Sequence, residues 1–547
     1  AFRARGVEVS GALTTTCNDL SEADRDKYRM SGTYCFTNEK MREYLVSTVQ
    51  YTARHFDEFI LDDWFFTMCS CDECRAAKGA RSWEDYRLGL MEDIGRLVVE
   101  SAKAVNPACK VIIKYPNWSE AYQESGYNPA AQRHIFDLIY TGTETRDTPN
   151  TDQHLPRYMS YSLTRLMENY APGRNGGVWF DPYGCNPIEI YLEQGYLSAF
   201  ARPRELTLFC WGSLIGNRVI TPLGFQLEQI DAFLDKAGTP IGTICYLPPN
   251  AQGEDHVENF LGMAGIPLEL SPDFPADAKS VFLTVQAHRD ADIIAKLTKF
   301  VADGGKAIVT SGFMIEALAQ EGGRGGGITE LTSIRYRGRR FRSREFRGGG
   351  IGGGGGDLSR VEMTFPLLEH RNNTTWTLAK AVVGEENYPI LFTDHYGKGE
   401  LITLVVPDEY GYIYALPSVA LDAIRGQFTD AVPYSLRGPG QCSLFAYDND
   451  VFAVYAYVNG SGGATVSGSY GLRVAGMAES IESLSQPGMK LFPVPSAGFG
   501  GFGGDGAAQT DFSFFMLQPG DLNFYKINWS AERHAPKREF QAVSAPH

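Results

Sequence analysis

The stretch Phe56-Asp57-Glu58-Phe59-Ile60-Leu61-Asp62-Asp63-Trp64-Phe65-Phe66-Thr67-Met68-Cys69-Ser70-Cys71-Asp72-Glu73-Cys74 sets the reading of this chain. A short apolar run ends in two adjacent carboxylates, and three thiols follow on the next loop. The run has the length of a buried strand rather than of a helix. A helical stretch from about Thr37 to His55 precedes it. After it, Trp83 to Val105 carries Leu88, Leu90, Met91, Ile94, Leu97 and Val98 at helical spacing.

The same alternation continues outward. Val7 to Thr16, Phe56 to Trp64, Lys110 to Trp118, Phe136 to Thr145, Gly177 to Tyr183 and Glu205 to Gly212 are predicted strands separated by longer amphipathic stretches. This is the pattern of parallel strands joined by helices, and it predicts an α/β fold of the (β/α)8 TIM-barrel type. In such a sheet the carboxyl ends of the strands share one face. Thr14, Asp62, Asp63, Lys114, Asn117, Trp118, Glu144, Arg146, Asp181, Tyr183 and Trp211 are expected to converge there. Six strands do not close an eight-stranded barrel. Two are expected to precede residue 1, with the chain beginning inside the barrel; a processed protein with a self-sufficient six-stranded fold is the competing expectation.

Paired acids at a strand end suit general acid chemistry, because two adjacent carboxyls that share a proton raise the pKa of one of them. The bland alternative is an acid that caps the following loop. Glycoside cleavage needs two carboxyls flanking the bond, and either Glu144 or Asp181 can partner Asp63. Arg146, two residues past Glu144 on the same side of an extended strand, is placed to pair with it in a purely structural bridge. Trp64, Trp118, Trp179 and Trp211 can stack on sugar faces, although each by itself suits a core equally well.

Ten Cys occur in the chain, and Cys69, Cys71 and Cys74 are too crowded to pair easily among themselves. With Cys35 in Tyr34-Cys35-Phe36 they make a four-thiolate set for a closed, structural zinc site. Free or disulfide-paired thiols are the alternative, and Cys17 is a weaker fourth ligand. An open coordination position would instead revive a metal-dependent hydrolase. No catalytic cofactor is expected, since no glycine-rich phosphate loop follows a strand.

Beyond about residue 235 the pattern restarts. Gly242 to Tyr246, Ser280 to Thr284, Lys306 to Thr310, Pro389 to Thr393 and Glu400 to Val405 read as strands of a doubly wound α/β domain over residues 236–430. Helices are expected near His256 to Met263, Asp290 to Asp303 and Ser418 to Gln427. A Gly-rich segment, 321–356, interrupts it and is expected to be an irregular insertion. Residues 431–547, rich in Tyr and Phe around Leu444 to Tyr447, Val451 to Val458 and Asp511 to Leu517, read as a C-terminal antiparallel β-sandwich. Residues 1–235 are the barrel. A net charge of −15 opposes a nucleic-acid partner, and no apolar run reaches the roughly 20 residues of a membrane span.

Tyr34-Cys35, the Cys69-x-Cys71-x-x-Cys74 cluster after a strand, and Phe209-Cys210-Trp211 together resemble family 42 of the glycoside hydrolases. Those β-galactosidases have a barrel, a trimerisation domain of amidotransferase-like fold and a small β-domain. The resemblance implies that Cys35, Cys69, Cys71 and Cys74 bind zinc, that Asp63 stands where the family has its acid/base Glu, and that Asp181 stands where it has its nucleophile. It also makes Val7 to Thr16 the third barrel strand. Asp replaces Glu at both positions and the Asn that precedes the family's acid/base is absent, so a different substrate is expected. The middle domain shows no Gly-x-Cys-x-Gly elbow, which points to assembly rather than amidotransferase chemistry.

The expected function is therefore a retaining, exo-acting glycosidase on plant or microbial oligosaccharides, with Asp63 as acid/base, Asp181 as nucleophile and Glu144 in reserve. Asp62, Lys114, Asn117, Trp118, Arg146, Tyr183 and Trp211 are the expected substrate-binding residues. The alternative is a catalytically silent carbohydrate-binding or assembly protein on the same scaffold. A homo-oligomer, trimer or dimer, is expected. A four-thiolate site suits a reducing cytoplasm whereas polymer-degrading enzymes are often exported, so the compartment stays open.

Overall fold

The computed structural model describes residues 2–14, 33–62, 65–146, 155–185, 188–320, 327–349, 356–371, 374–458, 468–494, 509–513 and 517–530. Cys17, Asp63, Trp64 and Asp147 lie outside them.

Strands β1 (Gly11–Leu13), β2 (Glu58–Leu61), β3 (Lys110–Tyr115), β4 (Leu138–Gly142), β5 (Asn175–Phe180) and β6 (Leu206–Leu208) form one parallel sheet in strictly consecutive order. Each is joined to the next through helix on the outer face, the arrangement of a TIM barrel over six of its strands. Period-two alternation sorts the side chains. Phe59, Leu61, Val111 and Ile113 face the helices and join the large outer core. Ile60, Ile112, Tyr140 and Trp179 form a separate cluster on the opposite, interior face.

The helices follow from local signals. Asn38 caps Glu39–His55 by accepting the Met41 N–H at 3.3 Å, and Ser82 caps Trp83–Val105 by accepting that of Asp85 at 2.9 Å. The second helix buries Tyr86, Leu90, Met91, Ile94 and Val98. Gly126 packs so close to it, with φ +90°, that a Cβ would sit 2.5 Å from Met91 Cγ. This lets Arg87 reach across, donating to the carbonyls of Glu124 (2.7 Å) and Met68 (2.9 Å) and tying the loops after β2 and β3 together.

The middle sheet has nine strands. Its parallel part is β8 (Thr243–Tyr246), β9 (Leu268–Ser271), β10 (Ser280–Leu283), β11 (Lys306–Thr310) and β16 (Gly399–Leu404), in the order β9-β8-β10-β11-β16. On the far side of β16 it continues through β15 (Glu386–Tyr396), β14 (Thr375–Val383), β12 (Arg335–Gly348) and β13 (Asp357–Glu369), all paired antiparallel. Here the expectation for the Gly-rich segment is corrected. Its basic stretch, Arg337 to Arg347, lies in the 14-residue strand β12. Phe341, Ser343 and Phe346 point inward, while Arg340, Arg342 and Arg344 stay in solvent. The density of arginine hid the apolar alternation beneath it.

The last part carries two antiparallel sheets, a three-stranded one and a six-stranded one. The six-stranded sheet includes β18 (Cys442–Tyr447) and β19 (Val451–Ala456), and it also takes in β7 (Pro240–Ile241), which precedes the middle sheet in sequence. Phe445, Tyr447 and Tyr455 pack with Phe200 and Phe233 of the barrel helices, and Arg165 on helix Met159–Tyr170 forks Glu269 of β9 at 2.7 and 3.0 Å. The three parts therefore share apolar and charged contacts. Among the described residues no helix is long and apolar enough to cross a membrane.

Candidate active site

The carboxyl ends of β2 to β5 bring a dense set of charges together. Lys114 lies on the interior face, two residues past Ile112, with its side chain 1% exposed. Its Nζ lies 3.2 Å from Glu144 Oε1 and 3.8 Å from Asp62 Oδ1. It also sits 4.7 Å from the centroid of the Trp179 ring, a cation–π contact. Glu144 is held from behind as well, since Asn117 Nδ2 donates to its backbone carbonyl at 2.7 Å. Asn117 is buried and so engaged, which suits a scaffold role rather than a direct sugar contact.

The second centre is Asp181, just past the end of β5. Arg146 binds it bidentately, Nε to Oδ1 at 3.1 Å and Nη2 to Oδ2 at 2.7 Å, and the Tyr183 N–H adds a bond to Oδ1 at 3.0 Å. Arg146 thus pairs with Asp181 of the neighbouring strand; among the described contacts Glu144 takes Lys114. Arg146 adopts φ +50°, a left-handed conformation uncommon for a side-chain-bearing residue. Burial works against its charge, but the hydrogen bond and charge of Asp181 outweigh it, and the guanidinium pKa is raised.

Gln194, fully buried on helix Ile188–Phe200, underpins this turn. Its Oε1 accepts the N–H groups of Thr145 (3.0 Å) and Arg146 (3.1 Å), while its Nε2 donates to the Asp181 carbonyl at 3.0 Å. Gln194 is not among the residues expected from the sequence. A signal was present: Glu193-Gln194 is a polar pair inside an otherwise apolar helix, and such pairs are kept buried only when bonded.

The aromatic residues divide. Trp179 belongs to the interior cluster, stacked on Phe209 at 4.9 Å, and Trp118 packs edge-on against Phe66. The expected platform of four tryptophans is therefore not assembled as such: Trp179 is core, and Trp64 lies outside the described residues. Trp211 is 77% exposed and Tyr183 is 44% exposed. Tyr183 Oη lies 3.1 Å from Cys210 Sγ, which places the loops after β5 and β6 on one rim.

On the outer loops, Cys35, Cys69, Cys71 and Cys74 direct their four Sγ atoms to one point, all within 4.8 Å of one another. Cys35 Sγ lies 3.5 Å from both Cys71 and Cys74. A zinc–sulfur tetrahedron has edges of about 3.8 Å, so the donor set fits a metal ion. Hydrogen bonds from Cys35 and Cys69 hold the Cys74 thiol far below its ordinary pKa, and the same crowding pushes Cys35 far up. A bound dication would supply the charge that four thiolates need. Thr37 bonds Cys74 Sγ at 3.1 Å and Tyr86 Oη at 2.5 Å, joining the cluster to helix Trp83–Val105.

Residues 1–229 match the family described as "Probable glycosyl hydrolase, catalytic domain", and residues 238–409 match "Uncharacterized protein SSO3021, second domain". The uncharacterized protein SSO3021 of Saccharolobus solfataricus is 27% identical over 306 residues, covering 49% of this chain and 50% of that protein. The chain thus spans about half the length of the curated relative it matches. Among solved structures, α-L-fucosidase isoenzyme 2 from Paenibacillus thiaminolyticus superposes with a TM-score of 0.63 at 13% identity, over 97% of this chain and 88% of that one. Gan42B, a GH42 β-galactosidase from G. stearothermophilus, does so with a TM-score of 0.59 at 11% identity, over 96% and 89%. At such identities the likeness is one of fold. The chain shares the fold of these glycosidases, and its residues 1–229 match the model of a probable glycosyl hydrolase catalytic domain.

Proposed function

We propose that the strand-end cluster is the centre of a retaining, exo-acting glycosidase on plant or microbial oligosaccharides, in which Asp181 attacks the anomeric carbon and Asp63 protonates the leaving oxygen. The observation that supports this best is the fixing of Asp181 by Arg146 and the Tyr183 N–H, with Gln194 holding the turn beneath. A nucleophilic carboxylate works only if its attack geometry is held, and a bidentate guanidinium holds it better than any single bond. Asp62 follows the last residue of β2 and belongs to the same charged set through Lys114, so Asp63 next to it is the nearest candidate for the acid. Glu144 remains the reserve nucleophile. Lys114, Asn117 and Arg146 act through the carboxylates, whereas Trp118, Tyr183 and Trp211 are the candidate sugar contacts.

We further read the thiol cluster as a structural zinc site bracing the loop after β2, the chain as three domains at 1–235, 236–430 and 431–547, and the whole as a homo-oligomer, trimer or dimer. A glycoside panel on the parent, Asp63→Asn and Asp181→Asn, with product stereochemistry by NMR, tests the central claim. Loss of cleavage in both variants with retention of configuration is the expected result. Cleavage that survives Asp181→Asn but not Glu144→Gln moves the nucleophile to β4.

One observation favours the silent carbohydrate-binding reading. Both oxygens of Asp181 are already bonded and its side chain is 4% exposed, so a sugar would have to displace part of the Arg146 fork. A parent that binds sugars and cleaves none would decide for it.

A further inference from the structure

In the order β9-β8-β10-β11-β16, the chain leaves β8 to one side for β9 and returns to the other for β10. Ligands of open α/β sheets bind at the carboxyl ends of the strands where the order reverses. Here the barrel covers that crevice. The loop after β8 faces the segment Ser119–Ser125 and helix Met159–Tyr170, and together they line a partly open cavity of about 60 Å³. That is space for about four water molecules, or for an organic molecule of similar heavy-atom count.

The charged lining is mostly acidic. Glu120, Asp255, Glu258 and the amide of Gln123 line it, and His256, whose Nε2 lies 3.6 Å from Glu120 Oε2, is its one basic side chain. Two of the acceptors are deeply buried and lack a hydrogen-bond partner: Oε1 of Gln123, a residue 1% exposed, and Oε2 of Glu258, 4% exposed. Their other atoms are engaged, Gln123 Nε2 with the Glu120 carbonyl at 3.3 Å and Glu258 Oε1 with Asn259 Nδ2 at 2.6 Å. Buried acceptors left unpaired are costly, so each of these two oxygens calls for a donor. Three carboxyls against one imidazole favour a cationic donor. Among the described residues only the thiol cluster brings three or more ligating side chains close enough to share a metal ion, which argues against a metal here. Leu163, Leu166 and Leu270 supply an apolar wall.

We propose that this cavity binds a small protonated amine, its ammonium group donating to Gln123 Oε1 and Glu258 Oε2 and its alkyl part lying against Leu163, Leu166 and Leu270. Burial holds the Glu258 carboxyl up at about 7, and a neighbouring ammonium group favours its ionised form. The site shares no residue with the strand-end cluster, and the proposal stands apart from the glycosidase reading.

The test is calorimetric titration of ethanolamine hydrochloride into the full chain at pH 8, with sodium chloride and glycerol as parallel titrants. Glu258→Gln and Gln123→Leu are the variants, each checked for native circular dichroism. Saturable one-site binding in the parent, weakened about tenfold or more in both variants, is expected, about 1.4 kcal/mol at that ratio. Either folded variant suffices for the comparison, because Gln123→Leu removes no charge and Glu258→Gln keeps the shape. Absence of saturable binding through the millimolar range overturns the proposal, as does undiminished binding in the variants. Glycerol binding in place of ethanolamine overturns the amine assignment in favour of a neutral polyol.

Discussion

Arg146 grips both oxygens of Asp181, Nε to Oδ1 at 3.1 Å and Nη2 to Oδ2 at 2.7 Å, joining the ends of β4 and β5. Removing one member leaves the other charge poorly solvated, because the Asp181 side chain is 4% and that of Arg146 23% exposed. Arg146→Met should cost about 3 kcal/mol of folding stability, and adding Asp181→Leu should restore most of it. Urea denaturation of both variants measures this. Glycoside cleavage should be absent from both; a fully active double variant would remove Asp181 from the chemistry.

Lys114 offers a second cycle. With its Nζ between Glu144 and Asp62, Lys114→Met leaves two carboxylates facing a nearly buried methylene chain. A loss of about 3 kcal/mol is expected, again by urea denaturation. Glu144→Gln keeps the shape and one acceptor, so it should cost about 1 kcal/mol. The two costs should not add in the double variant, since both changes act on one contact.

The strand ends and the thiol cluster were legible because each has a local signature: an apolar run closed by charges, and cysteines at ligand spacing. Helix Trp83–Val105 was legible to its ends from the apolar period. What was not legible depended on which partner each side chain meets. From sequence, Arg146 faces Glu144, two residues away on an extended strand; the positive φ of Arg146 turns it instead toward Asp181 on the next strand. Strand β12 escaped because seven arginines between Arg335 and Arg347 mask the inward residues. Trp179 looked like a strand-end platform, yet it sits one residue before the end of β5 on the interior face.

The thiol cluster should bind one zinc per chain by elemental analysis. Chelation, or Cys74→Ser, should lower the thermal midpoint by several degrees, on the order of the few kcal/mol that a structural site contributes to folding. Cys74 is the best choice because it is buried and bonded to Thr37, which reaches Tyr86 on the neighbouring helix. Protection of loop amides in hydrogen exchange should fall around 67–78 first. A chelated protein with unchanged midpoint and unchanged exchange would show that no structural metal is held.

The pH dependence of stability should carry the mark of Glu258. Burial raises its carboxyl from 4.5 to about 7 in the folded chain, with His256 working downward and Asp255 and Glu254 working upward around it. A carboxyl whose folded pKa exceeds its unfolded one binds more protons folded than unfolded between the two values. Its contribution is therefore least unfavourable below about pH 4.5, and stability falls as pH rises toward 7, levelling above. The full effect is on the order of 3 kcal/mol, from 1.36 kcal/mol per pKa unit. His256, also raised above 6.5, loses its own contribution as pH rises through its folded pKa, so the two slopes have the same sign. Glu258→Gln removes the first slope, because the amide cannot ionise, and also the part of the His256 shift that the Glu258 charge supports. The variant should gain on the parent progressively between pH 4.5 and 7 in urea denaturation, while a smaller slope above pH 6.5 remains with His256, whose pKa Glu120 and Asp255 still raise. A parent whose stability rises over that interval, with no difference from the variant, would mean that Glu258 ionises freely and that its pocket is open to water.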